Sequence, residues 1–237
     1  MSTVHTARTP RTPRTPRTPR TPRTPRSRLA RADLAALALL AGAVFGTARV
    51  YERLPTQVPI HFDLHGVADG FAPRLVGALL MPALSLAVWG VVRGAPLVLR
   101  GEARARALAS PLAETALIVV ALFAGLHVVM LDVALSGAPR AGRGLGFVLA
   151  GFSIALGLLL PKLRRNGFAG IRTPRSLSSD EVWQRTHRVG GALFVLAGVA
   201  GLAATALGHF AVAIGALVAA SLAAAIASYV VRDDARR

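Results

Sequence analysis

"VGGALFVLAGVAGLAATALGHFAVAIGALVAASLAAAIASYVV", Val189 to Val231, runs for 43 residues without an acid, a lysine or an arginine. A bilayer core takes roughly 20 apolar residues per helix. One such helix is too short to use this stretch, and two fit it with a turn at Gly208-His209, its only polar break. The reading is a tight helical hairpin inside a membrane, and the rest of the chain is judged against it.

Four further apolar runs precede the hairpin: Leu34–Ala48, Leu75–Val92, Thr115–Leu131 and Gly144–Pro161. The first is short, and it lengthens if Arg49 snorkels to the interface. The basic flank and Ala41-Gly42-Ala43 would permit a signal peptide, but cleavage there falls inside the run, so an uncleaved span is expected. The chain is 53% hydrophobic with mean hydropathy +0.52, yet its formal charge is +17. Apolar bulk and high charge coexist when the first lies in lipid and the second outside it. The fold class expected is an all-α integral membrane protein, a six-transmembrane-helix bundle. There is no cysteine, which excludes disulfides and thiolate chemistry.

Basic residues in alternate connections set the orientation. One side collects 23 of the 28, the other only Arg49, Arg53, Arg74, Arg140 and Arg143. Both termini are therefore expected in the cytoplasm (N-in/C-in) of a multi-pass plasma-membrane protein. Residues 1–31 form a tail expected to be disordered, with six Thr-Pro-Arg copies over 9–26. Proline at every third position favours polyproline II and would line the arginines along one face. Residues 32–94 hold helices 1 and 2 with an outer loop, and 95–111 a basic cytoplasmic linker. Residues 112–232 hold four helices with a cytoplasmic loop at 162–188, and 233–237 a short tail. Tyr51, Trp89, Trp183 and Tyr229 fall near helix ends, where interfacial anchors belong. Gly146/Ala150, Gly151/Ala155 and Ala197/Gly201 have the small-xxx-small spacing of close helix packing.

Two polar loops interrupt this pattern. In "NGFAGIRTPRSLSSDEVWQRTHRVGG" (Asn166–Gly191), Asn166-Gly167 signals a turn and Pro174 keeps Thr173 out of helix. Ser178-x-x-Glu181 reads as a capping box that starts a helix just before Val182. On that helix Trp183, Thr186, His187 and Gly190 share one face. With Arg172 and Asn166 folded back, a guanidinium, an imidazole and an indole could hold an anion there; otherwise the segment is a topology signal with Trp183 as anchor. The outer loop, Tyr51–Arg74, carries "VPIHFDLHG", which offers a short strand before a turn. His61-x-Asp63-x-His65 has metal-ligand spacing but lacks distant partners, so no metal or cofactor is expected. His127, inside the third span, is a candidate intramembrane functional group. No catalytic motif is present: there is no nucleophile elbow, zincin helix or phosphate loop.

At these loops the chain resembles the SdpI family of bacterial membrane proteins. The inner residues that carry the likeness are Asn166, Gly170, Ile171, Arg172, Thr173, Pro174, Trp183, Thr186 and His187. The outer loop resembles a domain of unknown function fused ahead of that family, at Leu54, Pro55, Pro59, His61, Phe62, Gly66 and Asp69. The resemblance spans about residues 32–232. Arg175, Asp63 and Ala68 depart from it, where an aromatic residue, asparagine and proline are usual. It implies a non-enzymatic immunity and signal-transduction protein. Such a protein protects against a secreted toxic peptide at the outer face and holds a transcriptional repressor at the inner one. Anionic lipids are expected against the basic tail and loops, with no direct nucleic-acid contact. The alternative is an integral-membrane enzyme or transporter for an anionic lipid or solute, using Arg172, His187 and Asn166.

The orientation is open to a direct check. A reporter active only outside the cytoplasm should be active when inserted after Gly66 and silent when fused after Val231. The reverse pattern would overturn the N-in/C-in reading.

Overall fold

The computed structural model describes residues 26–94, 102–137 and 141–231. The Thr-Pro-Arg repeats at 9–25, residues 95–101 of the expected linker and the tail from 232 lie outside the described residues.

Among the described residues six helices are long and apolar enough to cross a membrane. They are α1 (Arg26–Val50), α2 (Arg74–Gly94), α3 (Glu102–Ser136), α4 (Gly142–Leu159), α5 (Asp180–Ala206) and α6 (Ala211–Val230). In hydrocarbon no water can satisfy backbone groups, so each segment closes its own hydrogen bonds. Both boundaries of the last hairpin follow the sequence. α5 stops at Ala206, Gly208 takes a positive φ of 91°, and α6 begins three residues later.

Three boundaries differ from expectation. α1 starts at Arg26, inside the stretch 1–31 read as a disordered tail. α3 starts at Glu102, inside the stretch read as linker, because "EARARALA" is built from strong helix formers. α5 starts at Asp180, and its cap is Ser179, which accepts from the Val182 N–H, and not Ser178. The Ser178 hydroxyl instead donates to the Arg175 carbonyl and closes the preceding turn.

The helices pack as two triplets: α1 and α2 against α3, and α5 and α6 against α4, with α3 against α4 joining them. The α4–α5 contact is built from small residues. Gly157 and Gly191 face each other so closely that a Cβ on either would meet the other's carbonyl oxygen, at 2.6 and 2.7 Å. One turn further, the Ser153 hydroxyl donates to the Phe194 carbonyl at 2.8 Å. Beyond it, Gly198 lies against the Ala150 carbonyl, and Gly146 lies under Thr205. Of the small pairs read from sequence, Gly146/Ala150 lies in this contact, whereas Gly151 meets only open space.

The first triplet is tied by polar groups at both ends. Arg93 of α2 holds Asp33 of α1, Nε to Oδ1 at 2.8 Å. Nearer the opposite end, His127 Nε2 meets Thr47 Oγ1 at 2.6 Å with both side chains buried. The Thr47 hydroxyl donates to the Ala43 carbonyl, which makes the imidazole the donor in the His127 pair. Thus His127 fastens α3 to α1.

The α1–α2 loop is a β-hairpin, β1 (Gln57–Phe62) and β2 (Ala68–Pro73), paired antiparallel from Gln57↔Pro73 to Phe62↔Ala68. The strand expected in "VPIHFDLHG" is there, and it has a partner in "ADGFAP", whose composition does not suggest a strand. Val58 sits over Gly77 of α2, and Leu54, Val58 and Ala78 form a buried cluster against Leu131 and Leu135 of α3.

The glycine contact predicts a contrast between neighbouring substitutions. Gly157→Ile should push α4 off α5 and cost about 1–3 kcal/mol, read as a lower thermal midpoint in detergent. Gly151→Ile, on the open side of the same helix, should leave the midpoint close to wild type.

Candidate functional site

The segment joining α4 to α5 starts with a single turn, Leu160–Lys162, and the chain then folds over the first turns of α5. Asn166 shapes the entry. Its Oδ1 accepts from the Phe168 and Ala169 N–H groups, and its Nδ2 donates to the Arg164 and Ala169 carbonyls. All the hydrogen-bonding capacity of one buried amide is thereby spent on one turn.

The next residues rest on α5. Gly170 takes a positive φ of 112°, with His187 and the indole of Trp183 where a Cβ would stand. The Ile171 N–H donates to His187 Nε2 at 3.0 Å, and His187 Nδ1 lies 2.8 Å from the Trp183 carbonyl. Accepting at Nε2 leaves the proton on Nδ1, so this geometry specifies a neutral imidazole with both nitrogens satisfied. Trp183 stacks on it at 4.0 Å and donates its Nε1–H to the Leu163 carbonyl at 2.7 Å. Gln184 Nε2 reaches the same carbonyl at 3.2 Å.

Thr173 and Ser176 close the far end. The Thr173 N–H donates to Ser176 Oγ, the Ser176 N–H to Thr173 Oγ1, and the Ser176 hydroxyl to the Ile171 carbonyl. Thr173 Oγ1 also meets Ser228 Oγ of α6 at 2.8 Å, so the loop is pinned to both helices of the last hairpin. Ile171 packs onto Gly190, and Pro174 occupies the exposed turn. Ser176, Ser228, Leu163 and Gln184 were not singled out by sequence. Ser228 lies 55 residues from its partner, and Leu163 acts through a backbone carbonyl that no motif displays.

The structure thus brings Asn166, Gly170, Ile171, Thr173, Trp183 and His187 together, but with Asn166, Trp183 and His187 as the interior of a folded loop whose Gly170, Ile171 and Thr173 cover them. Trp183, Thr186 and His187 are wholly buried. Trp183 is therefore not an interfacial anchor, and the imidazole is not free to hold an anion. The Thr186 hydroxyl has no hydrogen-bond partner among the described residues. Arg172 lies on the outside, donating to the Gly167 carbonyl.

What faces water is cationic. Arg165 pairs with Asp180, Arg185 with Glu181, and Lys162 with Glu114. Arg164, Arg172, Arg175 and Arg188 have no ion pair among the described residues. Four guanidiniums over a rigid loop form an uncompensated positive surface.

The outer motif is at the opposite end of the helices and never meets the inner one. Leu54 and Pro59 are buried beneath the hairpin, and the Pro55 carbonyl accepts from Arg74. His61 pairs with Asp69 across the strands at 2.6 Å, both exposed. Phe62 ends β1, and Asp63 Oδ1 caps the turn by accepting from the His65 and Val67 N–H groups. His61, Asp63 and His65 therefore diverge, and among the described residues no three such groups converge on a metal-sized site. Gly66, at φ 73°, is buried against the start of α4, and its carbonyl accepts from the Ala141 N–H at 2.8 Å.

Comparisons with known proteins fall on these two ends. Residues 162–231, the inner loop with α5 and α6, match the SdpI/YfhL protein family. Residues 37–86, the second half of α1, the hairpin and more than half of α2, match a domain of unknown function, DUF1648. No curated protein and no solved structure matches the chain.

The loop geometry sets the cost of disturbing it. Trp183→Phe keeps the stack and removes one hydrogen bond, a loss of about 0.5–1.5 kcal/mol. His187→Ala leaves the half-buried Ile171 N–H without its acceptor and should cost about 1 kcal/mol from that group alone. Hydrogen exchange at Ile171 should accelerate in the His187 variant and not in the Trp183 variant.

Proposed function

We propose that this SdpI-like multi-pass membrane protein, with its DUF1648 region ahead of its family region, protects the cell against a secreted membrane-active peptide. In this reading it also docks a cytoplasmic repressor. The match of residues 162–231 to the SdpI/YfhL protein family suggests an immunity-type membrane protein; the peptide, the repressor, the plasma membrane and the inward-facing termini are this reading's additions.

One observation carries the proposal. The motif residues of the inner loop are spent holding a shape, and the shape displays arginines. Asn166, Trp183 and His187 are committed to the backbone and Thr173 to Ser228, which leaves none of these four poised for proton transfer or nucleophilic attack. An enzyme would need such a group aimed at a substrate. A docking surface needs rigid geometry and unpaired charge, as Arg164, Arg172, Arg175 and Arg188 provide. The partner's complementary face is therefore acidic, and the association is sensitive to salt. At the hairpin end, His61 and Asp69 are exposed on a small sheet that a peptide can approach.

For an outer ligand to bias the inner surface it must bind two arrangements of the bundle unequally. The Gly66–Ala141 hydrogen bond is where a shift of the hairpin reaches the second triplet.

The two halves of the reading separate experimentally. Expression in a peptide-sensitive bacterium should restore survival under challenge; no protection at normal membrane levels removes the immunity role. Replacing Arg164, Arg175 and Arg188 with glutamine should lower crosslinked capture of the repressor roughly tenfold, since three rim charges at about 0.5 kcal/mol each sum to about 1.5 kcal/mol. Undiminished capture removes the docking role.

A further inference from the structure

At the hairpin end lies a cleft of about 650 Å³ between three elements that the sequence keeps far apart. Leu64 and His65 enter from the hairpin turn, Arg143 from the start of α4, and His209, Phe210 and Val212 from the α5–α6 turn. The volume falls in the range of small-ligand sites, roughly 300–1,000 Å³.

We propose that this cleft binds the phosphate-bearing headgroup of an anionic phospholipid, with the acyl chains against the adjoining helices. The polar lining is entirely of one kind. Arg143, His65 and His209 bring guanidinium and imidazole groups, and no acid among the described residues lines the cleft. None of the three side chains has a hydrogen bond or ion pair among the described residues. The nearest carboxylate in sequence, Asp63, has its Oδ1 committed to the His65 and Val67 N–H groups. Arginine recognises phosphate oxygens through paired, charge-assisted hydrogen bonds, and imidazole supplies further donors.

The rim selects an amphiphile over a free anion. Leu64 is 67% exposed, Leu207 78% and Val212 47%, and the last two stand at the ends of the spans α5 and α6. Large apolar side chains at that level belong against lipid. Phe147, one turn along α4 from Arg143, begins an apolar groove of about 290 Å³ between α3 and α4, lined also by Leu122 and Gly125. A headgroup at Arg143 thus has apolar surface leading away from it along the bundle. The site draws on both triplets, so an occupied cleft fastens the hairpin to α4 and the α5–α6 turn.

The test is lipid retention by the purified full-length chain, read by native mass spectrometry. The probes are phosphatidylglycerol and phosphatidylcholine. Wild type should retain phosphatidylglycerol at least roughly tenfold over phosphatidylcholine, and Arg143→Gln/His209→Gln should abolish that preference. Arg53→Gln removes a charge from the same end of the protein outside the cleft, and it should keep the preference. Thermal unfolding establishes that each variant is folded. Equal retention by wild type and the double variant, or an equal loss in Arg53→Gln, overturns the site. Complete displacement of the lipid by inorganic phosphate overturns the lipid and leaves a soluble phosphate as the ligand. No displacement supports the headgroup.

Discussion

The close approach of α4 and α5 sets the position of everything at either end of the bundle. Gly157 and Gly191 bring two backbones into contact, and Ser153 adds a hydrogen bond to the Phe194 carbonyl one turn away. Between helices in lipid there is little hydrophobic drive, so packing and such hydrogen bonds decide the arrangement. With the two axes that near, the short turn from Leu160 to Lys162 lies against α5. The next residues then have no route except across Trp183 and His187. The loop's interior follows from the helix separation.

Polar groups are used sparingly, and several meet in pairs. His127 with Thr47 and Arg93 with Asp33 each join two helices, and Thr173 with Ser228 ties the inner loop to α6. A polar group in lipid is costly unless partnered, and these pairings tell each helix which neighbour to take. The inner loop carries the same economy outside the spans. Asn166, Ser176 and His187 satisfy backbone groups that sheet or helix would otherwise have covered.

Much of this was legible because some patterns admit one outcome. Twenty uncharged apolar residues have a single stable environment, so all six spans could be read, including the hairpin broken only at Gly208-His209. The family resemblance was equally legible, resting on spaced, uncommon residues. The role of Trp183 was not. Helical periodicity shows that Trp183 and His187 share a face, but says nothing of what folds over it, and the covering residues are Gly170 and Ile171. The α5 cap was missed by one residue because two serines compete there, and the turn from Arg175 claims the first. β2 was illegible for another reason: "ADGFAP" is a strand only because β1 and α2 make room for one. The cationic cleft gathers His65, Arg143 and His209 from elements more than sixty residues apart, and no spacing rule reaches that far.

The Gly66 contact has a mechanical consequence. α4 touches the hairpin at Gly142 and, at its other end, continues through Leu159 and Leu160 into the cluster around Trp183. Over its 18 residues it is a strut about 27 Å long, at about 1.5 Å per residue. A strut passes on displacement only while both ends stay seated, and in a helix seating includes rotation. Adding one residue to it would twist one end by about 100° against the other, out of phase with either the hairpin or the loop. The length of α4 is therefore a gauge for the whole molecule, fixed by its two ends and not by the membrane alone.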